Sequence, residues 1–300
     1  MKPKIHFFIG KGGVGKSTTS ALTAAYLSKN SYKTLLVSMD PAHNQRDIFQ
    51  RDFSEKPRKI NDFLSVKEVN IDGWIKKYLK ETQKTIQQTY SYESAFNLQN
   101  YFRVLQYSPG LEEYALLLAF EDIVTKDTEN DVIIFDMAPT ALTLRFFSLP
   151  FITLIWLREL LNLRDKIFSK KEIISKIKFV GKEIEQDKIK SKLSILISNA
   201  EHLRNQFQSS ATNINLVMND DTLSFSEALR IKSKLKDIGI SIAKVIVNKS
   251  QGATISEKVA TQFVRQKKAL FPFCERQLLG YEALQSYLNQ NREMAFSEYT

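Results

Sequence analysis

The stretch GKGGVGKST, Gly10 to Thr18, holds four of the chain's ten glycines together with two lysines. Gly10, Gly15, Lys16 and Ser17 satisfy G-x-x-x-x-G-K-[ST], the pattern of a loop whose backbone N–H groups curl around phosphate oxygens. Glycine permits that curl because no Cβ obstructs it. Gly10, Lys11, Gly12, Gly13, Val14, Gly15, Lys16, Ser17 and Thr18 are therefore the expected cradle for a nucleoside triphosphate. Lys16 is expected to reach the β and γ phosphates, and the Ser17 hydroxyl to bind Mg²⁺. Lys11 is surplus to that chemistry. Two uses stay open for it: a solvated surface charge, or a cation that reaches a partner's phosphates across a symmetric interface, as an arginine finger does.

Two carboxylates extend the constellation. Asp40 lies in SMDPAHNQRDIF, where an acid at a strand tip can orient and polarise a water that attacks the γ-phosphate. Asp136 ends the apolar run of DVIIFDMAPTALTLRFFSLP, as suits a carboxylate that holds Mg²⁺ through water. Taken singly, either also fits a helix cap or turn. Asn248-Lys249-Ser250-Gln251 is similar to the guanine-reading N-K-x-D, but glutamine stands where an aspartate would accept from guanine. That exchange loses about 1–3 kcal/mol of hydrogen bonding, so adenine is preferred and the expected cofactors are ATP and Mg²⁺. Phe271 and Pro272 are candidates to pack on the base.

These residues need strands to carry them. Short apolar runs at Ile5–Ile9, Thr34–Ser38, Val132–Phe135, Ile214–Met218 and Val245–Val247 predict buried strands, and helical patterns alternate with them. That alternation predicts parallel strands joined by helical crossovers. Residues 74–125 form one helix-rich block, with Ile75, Tyr78, Leu79 and Ile86 at helical spacing and a break at Pro109-Gly110. A second block spans about 151–193, where Ile167, Ile173, Ile174, Ile177, Val180 and Ile184 make an amphipathic stripe. The expected organisation is one α/β domain over residues 1–300, with a helical subdomain formed by those two insertions.

Composition limits the alternatives. Of 300 residues, 43% are hydrophobic and 25% charged, as in ordinary globular proteins. The apolar run near the N-terminus is too short for a signal peptide. Other apolar runs, at Tyr114–Phe120 and Leu149–Leu157, are shorter than the ~18 residues of a membrane span. A soluble, cytoplasmic protein is expected, and the single cysteine, Cys274, suits a reducing compartment. The net charge of +10 is concentrated in residues 151–200, which carry 11 basic and 6 acidic side chains. That excess fits a solvated lysine face, or a surface for anionic lipid or nucleic acid. No aromatic-and-basic nucleic-acid module is present, which argues against DNA or RNA as partner.

GKGGVGKST with its early lysine resembles the deviant phosphate-loop ATPases. Together with DPAHN and DMAPTALTLRFFSLP it resembles the phosphate loop, switch I and switch II of the ArsA-type ATPases. PGLEEYALL, FSEALRIKSKLKDIGISIAKVIVNKS and LFPFCERQLLGYEALQSYL extend the likeness over most of the chain. The family includes the catalytic subunit of the arsenite pump and the cytosolic ATPase that delivers tail-anchored membrane proteins. The resemblance implies a mostly parallel P-loop NTPase core of the SIMIBI class and a homodimer with ATP at its interface. It implies Lys11 reaching across, Asp40 as catalytic carboxylate, Asp136 coupling Mg²⁺ to switch II, and Asn248 at the adenine. His43 and Asn44 would lie in switch I, and Pro139 and Thr140 in switch II.

Departures from the family pattern narrow the expectation. One cysteine per chain gives two thiols per dimer, short of the four ligands of a shared zinc, and His6, His43 and His202 lack ligand spacing. No zinc is expected, nor a metalloid site or bridging iron–sulfur cluster within such a dimer. Residues 140–217 contain no methionine, unlike a Met-rich client groove. Phe151, Ile152, Leu154, Ile155, Trp156, Leu157, Leu160 and Leu161 surround nearly all of one helix, which fits either core packing or a surface for a hydrophobic client or membrane partner. The expected function is a homodimeric, Mg²⁺-dependent ATPase switch for a hydrophobic client helix. The alternatives are a positioning ATPase on membrane or nucleic acid, and an anion-transport-related ATPase without the metalloid cysteines.

Overall fold

The computed structural model describes residues 3–89, 105, 107–177, 188–252 and 254–296, with side chains outside 85–89, 167–177, 188–189 and 292–296. Eight strands form one sheet in the order β3-β4-β2-β5-β1-β6-β7-β8. They are β1 Lys4–Ile9, β2 Thr34–Ser38, β3 Arg58–Asn61, β4 Leu64–Glu68, β5 Val132–Asp136, β6 Thr212–Asn219, β7 Ile242–Ser250 and β8 Lys267–Pro272. Every pairing is parallel except β3 with β4. β1, β2 and β5 are apolar and almost wholly buried, as strands covered on both faces must be. This is the α/β phosphate-loop NTPase fold the sequence predicts.

The strands β3, β4 and β8 were not among those expected. β3 is a four-residue antiparallel edge strand that opens on Arg58 and Lys59, with no alternation to mark it. β8 opens on two lysines and closes on Pro272, so its apolar run is only Ala269–Phe271. In each case tertiary pairing supplies what local pattern lacks.

The helices numbered in chain order are α1 Lys16–Lys29, α2 Asn44–Phe49, α3 Ile71–Thr89, α4 Leu111–Lys126, α5 Thr140–Ile177, α6 Lys188–Phe207, α7 Thr222–Asp237, α8 Glu257–Gln262 and α9 Tyr281–Phe296. α4 starts after Gly110, whose φ of 88° suits glycine at the break predicted there. The expected stripe residues Val180 and Ile184 lie outside the described residues. So do the side chains of Ile86, Ile167, Ile173, Ile174 and Ile177.

The chain divides into two compact units, residues 1–146 with 210–300, and residues 147–209. α3 and α4 fall within the larger unit, where Tyr78 and Tyr114 meet edge-on at 4.9 Å. Its core includes Phe7, Phe120, Phe135 and Phe146, with ring centroids 5.1–6.0 Å apart. The smaller unit is an antiparallel pair made from α5 beyond Phe146 and α6. Phe147 meets Phe207 at 5.1 Å, Arg158 meets Glu201 at 2.7 Å, and Asp165 meets Lys190 at 2.8 Å. Among the described residues, Phe147, Leu154, Leu157, Ala200, Leu203 and Phe207 are its buried apolar side chains.

The structure corrects one expectation here. α5 is continuous from Thr140 through Pro150, and the stretch Thr140–Lys166 is long and apolar enough to cross a membrane by length and composition. Counting uninterrupted apolar runs missed this because Arg145, the Arg158-Glu159 pair and Arg164-Asp165-Lys166 interrupt or end the runs without making the stretch polar on average.

Candidate functional site

The tip of β1 lies between β5 and β6, where the chain departs in both directions along the sheet, the usual place for a ligand crevice in open α/β folds. The phosphate loop runs from this tip to α1, and neighbouring strands dictate two of its glycines. A Cβ on Gly10 would lie 2.2 Å from the Val217 carbonyl oxygen of β6. A Cβ on Gly15, at φ 93°, would lie 2.2 Å from Asn248 Nδ2 of β7. Both approaches are too close for any side chain. Asn248 is buried and its Nδ2 donates to the Val14 carbonyl at 2.7 Å. Next to it, Lys249 adopts φ 53° and donates from Nζ to the Gly13 carbonyl at 3.5 Å. The sequence places Asn248 at the base; in the structure its amide braces the loop.

Lys16 is buried and its Nζ donates to the Lys11 carbonyl at 3.4 Å. Burial holds its pKa below the ordinary lysine value, while Asp136 and Asp40 pull it back up. An ammonium that is desolvated and faces two carboxylates is well placed to receive a phosphate anion. The first turn of α1 contains no acidic residue, so its N-terminal amides and partial positive charge stay available for that anion.

Asp40 follows β2, is buried, and accepts from the Ala42 N–H at 3.0 Å. Asp136 is wholly buried at the end of β5. Burial raises its pKa to about 6, against hydrogen bonds from Gln45 and Ser17 and the charge of Lys16. In the segment expected to be switch I, Asn44 Nδ2 donates to Ser17 Oγ at 3.4 Å. His43 sits at φ 50° with Nδ1 3.6 Å from Glu68 Oε2. Glu68 is raised by burial, an effect that His43 opposes. In the segment expected to be switch II, Pro139 is exposed, and α5 begins at Thr140. Thr143 Oγ1 donates to the Ala138 carbonyl at 2.6 Å and secures that first turn.

A cavity of about 540 Å³ opens over these groups, a size suited to a nucleotide. It is lined by Gly12, Gly13, Gly15, Lys16, Ser17 and Thr18, by Asp40 and Asn44, and by Pro139, Asn248 and Pro272. Lys11, His43, Asp136 and Thr140 are not part of the lining. Phe271 is buried in the core, whereas Phe273 joins Pro272 on the cavity wall with Cys274, Arg276 and Gln277. The end of the strand explains the exchange: Phe271 packs in the core within β8, whereas Phe273 follows Pro272, where the strand has ended and its pleat no longer sets the side-chain direction.

Sequence reasoning also missed Gln45. It is fully buried, and its Nε2 donates to Asp136 Oδ2 at 2.8 Å, the Ser17 carbonyl at 3.1 Å and Ser20 Oγ at 3.2 Å. A signal existed: Gln45, Ile48 and Phe49 are the buried residues of α2 at i, i+3, i+4, which places a polar amide on the apolar face.

The donor set suits magnesium. Ser17, Asp40 and Asp136 offer only oxygen, and Asp136 Oδ1 is buried without a hydrogen-bond partner among the described residues. An acceptor left so bare fits a site that receives a donor such as metal-bound water.

A buried lysine on an open helix start, under a loop that only glycine can form, defines a phosphate-loop nucleotide-binding protein. The particular lineage follows from the model of the anion-transporting ATPases, which matches residues 3–286: the chain belongs to that family, and it is an ATPase acting on a nucleotide. A protein of Aquifex aeolicus (strain VF5) named "Putative arsenical pump-driving ATPase 2" is 27% identical over 302 residues, 95% of this chain and 97% of its own length. The ATPase ASNA1 homolog of Plasmodium vivax (strain Salvador I) is 33% identical over 253 residues, 81% of this chain and 62% of its own. That of Cryptosporidium parvum (strain Iowa II) is 31% identical over 245 residues, 81% of this chain and 64% of its own. The chain thus spans nearly all of the first relative and less than two thirds of the other two.

Proposed function

We propose that this ATPase is a homodimeric, Mg²⁺-dependent cytoplasmic switch that binds a hydrophobic helix of a client, such as a tail-anchored membrane protein. One observation carries the client half of the reading. On α5, Ile152, Ile155, Trp156, Leu160 and Leu163 recur at helical spacing and are all exposed, Ile155 and Trp156 by two thirds of their surface. A row of large apolar residues at i, i+3, i+4 spacing is what a helix uses to hold another apolar helix. Ile195 and Leu196 on α6 add further exposed apolar surface in the same unit.

In the nucleotide half, the loop amides and Lys16 bind and orient the phosphates. Ser17 and Asp136 would hold magnesium, with Asp40 beside them, and the ion would neutralise charge on the phosphate oxygens. Asp40 positions and polarises the attacking water and takes its proton. Lys11, half-exposed and outside the cavity lining, reaches the partner's phosphates when two subunits close. Nucleotide state then acts on α3 and α4 and on α5 and α6, because each pair joins a switch region along the chain.

A pull-down with Asp40→Asn and ATP tests the reading. Tail segments of membrane proteins should co-purify with it, and should be lost from Ile155→Ser/Trp156→Ser in the same background. Equal capture with and without the apolar pair would overturn the client assignment. The length-matched Aquifex relative supports a second reading, an ATPase that drives anion extrusion. Stimulation of turnover by arsenite or antimonite, undiminished in Cys274→Ser, would favour it.

A further inference from the structure

The buried amide of Gln45 has no part in the chemistry described above, yet three elements meet on it. It sits on α2, within the switch I segment, and its Nε2 donates to Asp136 Oδ2 at the end of β5 and to the Ser17 carbonyl and Ser20 Oγ of α1. Among the described residues it is the side chain that joins switch I to the Asp136 carboxylate by a hydrogen bond. Its Oε1 is also buried without a partner among the described residues, as is Asp136 Oδ1. Two bare acceptors, linked through the 2.8 Å bond, leave the pair ready for a donor while fixing which carboxylate oxygen is free to receive it.

We propose that Gln45 is a positioning residue that orients the Asp136 carboxylate and ties the registration of switch I to it. The physical reason is the burial of Gln45, Asp136 and Ser20. A carboxylate without water around it takes its rotamer from whichever donors it has, and Gln45 pins Oδ2 so that Oδ1 is presented. The same amide draws α2 onto α1, so a shift of Asp136 displaces the segment that carries Asn44 and follows Asp40. Outer hydrogen-bond partners of this kind set ligand orientation at metal sites without touching the ion. The inference rests on the proposed role of Asp136 toward magnesium.

Gln45→Met tests it, since methionine keeps the length and volume but donates nothing. ATP turnover should fall by about 10- to 100-fold, with the half-saturating Mg²⁺ concentration raised and KM for ATP little changed. Binding of a fluorescent ATP analogue in EDTA should stay within about twofold of the parent, because Gln45 meets the loop only at the Ser17 carbonyl and not at the glycine amides or the Lys16 ammonium expected to take the phosphates. In the nucleotide-free, metal-free protein, amide exchange of residues 40–50 should quicken, which reads the tether without any turnover. Gln45→Glu, of the same shape but with a carboxylate against Asp136, should show at least as large a loss and decides the matter if the methionine variant does not fold. Turnover and Mg²⁺ dependence within twofold of the parent in the folded variant, alongside inactive Asp136→Asn, would overturn the role of Gln45. Full activity in Asp136→Asn would instead overturn the role of Asp136.

Discussion

At the nucleotide site, polar side chains are buried and partnered: Asn248 on the Val14 carbonyl, Gln45 on Asp136, Lys16 on the Lys11 carbonyl. In the two-helix unit the relation is reversed. Large apolar side chains on α5 face outward, while the unit's ion pairs, Arg158–Glu201 and Asp165–Lys190, lie at its surface. The first region is specified atom by atom, since each buried donor needs one particular acceptor and a wrong residue leaves a polar group bare. The second is specified by property alone, since apolar area has no direction. Substitutions should therefore act sharply and locally in one, and cumulatively in the other.

The largest expected effect sharpens the first half of that contrast. Asp40→Asn changes one atom, keeps the volume, and should lower turnover by about 10²- to 10⁴-fold while equilibrium dialysis still finds bound ATP. Activity within tenfold of the parent would remove Asp40 from proton transfer. Gly15→Ala should come next. Its Cβ would meet Asn248 Nδ2 at 2.2 Å with φ at 93°, so the loop must shift and the Asn248–Val14 bond break. A loss of about 2–4 kcal/mol in nucleotide affinity is expected from left-handed strain plus one orphaned amide, measurable by calorimetry.

Lys11→Ala is a smaller break, confined to one partly exposed cation. ATP binding should persist while ATP-dependent dimerisation weakens by about tenfold in sedimentation velocity, the scale of one charge-assisted contact. An unchanged association constant would leave Lys11 a surface charge. The smallest effect belongs to the other region. Ile155→Ser with Trp156→Ser should move unfolding free energy by only about 0.5 kcal/mol and leave basal turnover intact, because both side chains already face water. A large drop in stability would mean that the stripe is core.

How far each region was legible in the sequence follows the same division. The phosphate loop, Asp40 and Asp136 stand at fixed covalent spacings from strands whose apolar runs are unmistakable, so they could be read and placed. The choice between Phe271 and Phe273 at the cavity could not, because it depends on where β8 ends, and that strand has little apolar pattern of its own. Gln45 was passed over because its partners lie 25 and 91 positions away at Ser20 and Asp136. The apolar circumference of Phe151–Leu161 was legible, but its division into buried Leu154 and Leu157 and exposed Ile155 and Trp156 needed the opposing face of α6.

Sequence alone determined the class of chemistry: a glycine loop, its lysine and hydroxyl, and carboxylates at two strand ends, since these are set by local geometry over a few bonds. Tertiary structure decided which groups the strand order brings together. Only with β1 between β5 and β6 does Val217 demand glycine at position 10. Only with β7 alongside does Asn248 close on the loop, and only α2 folded onto α1 carries Gln45 to Asp136. Those contacts depend on packing between distant segments, and no local pattern of residues records them.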